Sequence, residues 1–171
     1  MADIQLNITV NNPRVSTFTL GGKTLKEAQK NLDARDEWGL YDATQNGQSS
    51  AKTDADGHVV SVTMVLNPRI EMPSWSGYRA ANKEQKASWD AMYKALLAHE
   101  KKHHAIQLDC VEDLKKAIKA AAPLDGPALT KLIEQSRQDC QKNQDAYDSR
   151  SGHGAKEGVV LDLDADDADD D

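Results

Sequence analysis

Phenylalanine occurs once in this chain, and all aromatic residues together make up only 5% of its 171 positions. A core with so few large rings has to be filled by aliphatic side chains, and it is modest for the length. Nowhere do 18 apolar residues run together, so the sequence offers no membrane-spanning helix. The opening MADIQLNITV lacks the basic start and long apolar stretch of a secretory leader. An excess of positive charge is also missing, since 21 Lys and Arg face 28 Asp and Glu. Eight of those acids sit in residues 157–171, which hold no Lys or Arg, so residues 1–156 carry 20 acids against 21 bases. That near-neutral body presents no basic surface, and neither nucleic acid nor membrane is expected as a partner.

What is present divides along the chain. Residues 3–10 alternate Ile4, Leu6, Ile8 and Val10 with polar partners, the period of a half-buried strand. A second strand, RVSTFTL, follows Pro13 and ends at Gly21 and Gly22. TLKEAQKNLDARD then spaces Leu25, Ala28 and Leu32 as a short helix, with Thr24 as N-cap and Glu27 completing a capping box. WGLYDATQNGQSS and GHVVSVTMVLNPRIEM read as two strands of a hairpin, with a bend, bulge or edge position forced at Pro68. From Asn82 the period becomes helical up to the break AAPLDGP, and a second helix follows from Pro127 to about Tyr147. N-terminal antiparallel strands with a short helix, followed by an antiparallel helical hairpin, give an α+β fold of one domain over residues 1–156. The remaining residues, 157–171, read as a disordered acidic tail that could recruit a basic partner. Its aspartates lack the glycine spacing of an ordered calcium loop.

On the long helix, Trp89, Met92, Leu96, His99, His103, Ile106 and Cys110 recur at steps of three and four. They form the buried seam of an amphipathic helix. His99 and His103 are one turn apart on that seam, so their imidazoles can meet a single metal ion, and zinc takes such donors. The segment AHEKKHHAI therefore has two readings, a zinc centre or a charged helix face. Glu100, about 100° round from His99, is placed to act as general base on a water.

A catalytic zinc needs a third protein ligand. Asp109 would qualify only if the helix broke after His103, and no glycine breaks it. His104 lies off the face. If the two helices pack antiparallel around Asp125, residues whose numbers sum to about 250 share a height. Cys110 and Cys140 then meet and can form a disulfide. Tyr147 falls level with His103, as a candidate hydrogen-bond donor to an oxyanion or as a core aromatic. Beyond it the glycines of SGHGAKEG free the backbone to turn His153 toward the metal, unless this segment is a linker.

WDAMYKALLAHEKKHHAI, followed after a helical hairpin by YDSRSGHG, resembles a bacterial family of formerly uncharacterised proteins described as candidate secreted zinc-dependent proteases. The resemblance implies a zincin-like site with His99 and His103 as ligands, His153 as the third, and Glu100 as catalytic acid and base. The expected function is a zinc-dependent peptide-bond hydrolase acting on a peptide or protein substrate. Such a substrate could pair with an exposed strand edge near residues 58–66. The alternative is a non-catalytic zinc-binding module or a helical-hairpin interaction module. The paired cysteines favour a periplasmic or secreted setting despite the missing leader, with the cytoplasm as the alternative.

Overall fold

Two prolines set where the chain changes sheets. The computed structural model describes residues 3–44 and 47–168. Strand β1 (Gln5–Val10) stops short of Pro13, and β2 (Arg14–Leu20) resumes beyond it in a different sheet. Pro68 likewise separates β5 (Val59–Leu66) from β6 (Arg69–Trp75), because a residue without an N–H cannot extend a ladder. The two passages are tied side by side. Asn11 N–H donates to the Leu66 carbonyl at 3.0 Å and Arg14 N–H to that of Pro68 at 3.0 Å. The order of elements continues with α1 (Leu25–Asp33), β3 (Leu40–Asp42), β4 (Gln48–Thr53), and the helices α2 (Lys83–Ala121) and α3 (Gly126–Ser151). The fold is α+β, and the chain forms two compact units where its length suggested one.

The first unit takes residues up to 14, 42–68 and 103–146. Its sheet has the order β1-β5-β4, with β1 parallel and β4 antiparallel to β5. The expectation of antiparallel strands therefore holds for β4 with β5 and fails for β1. Since β5 is paired on both sides, it has no edge for an added peptide, and the strand-addition site expected near residues 58–66 does not exist there. The edges of this sheet belong to β1 and β4. Val59 and Val62 are both buried although three apart, which strict alternation forbids. A register shift resolves this: Thr53 pairs with Val59 and Lys52 with Ser61, so Val60 is an extra residue that rephases the strand. Val59 and Val62 pack with Ile4, Ile8, Val111, Leu114 and Ile118. Asp125 opens α3 by accepting from the Ala128 N–H at 2.8 Å. Cys110 and Cys140 form the expected disulfide, with Cα atoms 5.7 Å apart.

The second unit takes residues 15–41, 69–102 and 147 onward, with a sheet of order β2-β6-β3. The segment read as one strand after Trp38 is split between β3 and β4 in different sheets; Gln45 and Asn46 lie outside the described residues. Leu25, Ala28 and Leu32 of α1 are fully buried, and Thr24 Oγ1 accepts from the Glu27 N–H at 3.2 Å, as the capping pattern predicts. Glu27 reaches back one residue further than expected, to the Lys23 N–H at 2.5 Å. The core adds Ile70, Met72, Trp75, Trp89, Met92 and Leu96.

Residues 157–168 are not the solvated tail their aspartates suggest. Val159, Leu161 and Ala165 are buried in this core, and Leu163 packs against it. Every second residue is apolar, a packing pattern that the charge obscures. The acids find donors: Asp166 accepts from the Leu25 and Lys26 N–H groups at 2.7 and 3.0 Å and from Gln85 Nε2 at 2.8 Å. A carboxylate at the first turn of α1 satisfies amides that a helix start leaves unpaired and suits the positive end of its dipole. Residues 169–171 lie outside the described residues. Among the described residues, no helix is long and apolar enough to cross a membrane.

Candidate metal centre

Helix α2 buries His99, Glu100 and His103 to 4%, 4% and 7% exposure. The apolar seam of Trp89, Met92 and Leu96 fixes the helix rotation, so the histidines that continue the seam also turn inward. Glu100, expected at the edge of the seam, is as buried as His99. Gly39 lies close against its carboxylate: a Cβ there would stand 2.8 Å from Glu100 Oε1.

Helix α3 runs one turn past the expected end and carries Tyr147 and Asp148. It closes with His153 N–H donating to the Asp148 carbonyl at 2.9 Å. Gly152, His153 and Gly154 all have positive φ, 60°, 51° and 85°. This left-handed turn folds His153 back beside its own helix end. Gly154 then passes against His99, where a Cβ would meet the imidazole Cγ at 3.3 Å and Val159 Cγ2 at 2.5 Å.

Two donor groups result. Ligand atoms of His99, His103 and Asp148 lie within 4.8 Å of one another, and so do those of Glu37, Asp148 and His153. His153 is thus grouped with Asp148 and Glu37, and Asp148 is common to both sets. Asp109 is exposed and His104 half-buried, and neither belongs to these groups.

The imidazoles are oriented from behind. Gln144 Nε2 donates to the His103 carbonyl at 3.0 Å, which turns its Oε1 toward His103 Nδ1 at 2.6 Å. The His103 proton therefore sits on Nδ1 and the lone pair on Nε2. His99 Nδ1 lies 3.1 Å from Glu157 Oε2, and its Nε2 lies 3.2 Å from Asp148 Oδ1. A neutral imidazole has one N–H, so His99 can donate to only one of these two carboxylates and presents a lone pair toward the other.

Tyr147 stacks on His99 with ring centroids 4.9 Å apart, and its hydroxyl donates to Glu157 Oε2 at 2.6 Å. The single phenolic proton is committed to Glu157, which makes Tyr147 a support for His99; the expected oxyanion contact has no proton left to use. Tyr147 was expected level with His103 and stands against His99. Inward positions recur every three or four residues, so contacts fall on the nearest seam residue instead of the equal-height one.

Acidic groups crowd this centre. Burial first, then the negative charges of Glu37 and Asp148, push Glu100 up to about 8, against a hydrogen bond from the Tyr41 N–H. Burial works against ionised Glu157, but hydrogen bonds from Lys102, Tyr147 and His99 bring it down to about 2. Burial and the bond to Glu157 raise Tyr147 above the usual phenol range.

Asp148, Glu157, Glu37 and Gln144 were missed by the sequence reading. Asp148 had a signal, since it stands beside Tyr147 in YDSRSGHG at nearly the height of His99 and His103. Glu157 falls in the stretch whose acids read as a tail.

No curated protein and no solved structure matches the chain. A family profile does match, over residues 15–154, a span that includes both HEKKH and SGHG. With most of its length covered by that match, the chain belongs to DUF922, a family described as a bacterial protein of unknown function.

Proposed function

We propose that this protein is a zinc-dependent peptide-bond hydrolase with a zincin-like catalytic helix. The observation that carries the reading is the joint geometry of His99, His103 and Asp148: three donors within 4.8 Å, with Nδ1 of both imidazoles already engaged from behind. Two imidazoles and a carboxylate are a usual donor set for catalytic zinc, and histidine ligands held through their far nitrogen are its usual support. When bound, zinc would supply a Lewis acid and lower the pKa of water to about 7. His99 and His103 would hold it through Nε2, and Asp148 through a carboxylate oxygen. Glu157 and Gln144 keep the two rings in the matching tautomer. Tyr147 fixes His99 by stacking and holds Glu157 in place.

Glu100, next to His99 and shielded from bulk solvent, would be brought to its ionised form by the charge of a bound cation beside it, and in that form would take the proton of the attacking water and return it to the departing amine. The Tyr41 N–H orients that carboxylate. A peptide or protein is the substrate of this reading. The Cys110–Cys140 disulfide supports a periplasmic or secreted setting.

The test is Glu100→Gln, assayed for zinc content and for hydrolysis of a mixed peptide library. Full zinc binding with at least a hundredfold loss of turnover is expected. Undiminished turnover would reject Glu100 as the base. The enclosure of His99 by Tyr147 and two carboxylates favours one other reading, a zinc site that ties helix to loop without catalysis. There the library stays intact with wild-type protein as well.

A further inference from the structure

We propose that Glu37, Asp148 and His153 form a second divalent-cation site, sharing the Asp148 carboxylate with the first. The inference rests on reading His99, His103 and Asp148 as a metal site, and its test separates the two ideas.

The geometry is the starting point. Glu37, Asp148 and His153 each bring a ligand atom within 4.8 Å of the other two, and only Asp148 is also within that distance of His99 and His103. A carboxylate has two oxygens and about four lone-pair directions, enough to bridge a pair of cations. Paired-metal hydrolases hold their ions about 3.5–4 Å apart, a separation one bridging carboxylate spans.

The surroundings differ between the two groups in a way that suits two different ions. His99 and His103 are buried, whereas Glu37 and His153 are exposed and Asp148 is half-buried. The second site therefore opens to water, which can complete a coordination shell. Two carboxylates and one imidazole form a harder donor set than the first, matched to manganese or zinc.

Charge and backbone point the same way. Glu37, Glu100, Asp148 and Glu157 gather four carboxylates here, and the ammonium of Lys102 is bonded to Glu157. His153 stands at φ 51° between two positive-φ glycines, a left-handed conformation uncommon outside glycine, and this turn brings its ring beside Asp148.

The experiment strips the full-length protein with chelator and titrates it with zinc, and separately with manganese. Bound metal is counted by elemental analysis and calorimetry, and manganese pairs by the spin coupling seen in electron paramagnetic resonance. Wild type, Glu37→Gln with His153→Asn, and His99→Ala are compared. Asparagine accepts the left-handed backbone at 153, and Glu37→Gln alone, at an exposed position, serves if the double variant misfolds. Two ions per chain in wild type and one in the Glu37 and His153 variants are expected. One ion in wild type, kept in those variants and lost in His99→Ala, overturns the second site and leaves the hydrolase reading standing. One ion lost in all variants means a single ion draws on both groups, which also overturns it. Two ions in both wild type and the Glu37 and His153 variants would put the second ion elsewhere and overturn it too. No ion in wild type removes both ideas together.

Discussion

Leu161→Ala tests whether the acidic C-terminal segment is part of the fold. Leu161 is 8% exposed and packs in the core that holds Trp75 and Trp89, while its neighbour Val160 is 54% exposed. Truncating a buried leucine removes about 2 kcal/mol of transfer free energy and leaves a partly unfilled cavity, for a total of about 2–4 kcal/mol. In a chain of this length each kcal/mol lowers Tm by about 2–4 °C, so a fall of roughly 4–16 °C is expected. Val160→Ala, one residue away on the opposite face, should stay within about 0.5 kcal/mol of wild type. Urea and thermal unfolding followed by tryptophan fluorescence reads both variants, because two of the reporters sit in the core under test. If the two variants unfold together with wild type, the segment is a solvated tail and the packing argument fails.

Glu157→Gln removes the charge that holds His99 Nδ1, and zinc affinity measured by calorimetry should fall about 10- to 100-fold; an unchanged affinity would deny Glu157 that role. Replacing both Cys110 and Cys140 by Ser opens a loop whose ends are 30 residues apart, at a cost of about 3–4 kcal/mol. Denaturant midpoints of that variant, with and without reductant, should coincide and lie below those of oxidised wild type. Asp166→Ala should cost about 1 kcal/mol by uncapping α1. Burial opposes ionised Asp166, but hydrogen bonds from Gln85 and the Lys26 and Leu25 N–H groups hold its native pKa below the ordinary value. Its contribution is therefore complete above the unfolded aspartate pKa of about 3.9 and is lost as pH falls through the lower native value. Acid titrations of wild type and variant should converge at low pH, and a constant gap down to full protonation would refute the assignment.

Local pattern was enough for the elements that bury one face of a regular period. The spacing of Leu25, Ala28 and Leu32 gave α1, and the seam from Trp89 to Cys110 gave the rotation of α2, with His99 and His103 turned inward. Antiparallel packing of two helices around a short break was enough to pair Cys110 with Cys140. The strands were less legible. Pro68 announced an interruption, but whether the chain bends within one sheet or moves to another depends on which strands are available as neighbours. The bulge at Val60 is equally invisible locally, since it exists only relative to β4.

The sequence by itself determined that a histidine pair one turn apart, with a glutamate between, would lie on the buried side of a long helix, because helical periodicity is a property of consecutive residues. Only the tertiary structure decided what surrounds that pair. Glu37 comes from the stretch after α1, Asp148 from α3, and Glu157 from a segment whose aspartates hid its alternating apolar residues. No local period connects those positions. They meet because the burial of Val159, Leu161 and Ala165 draws the C-terminal segment into the core, and because a left-handed turn at residues 152–154 folds the chain back onto His99.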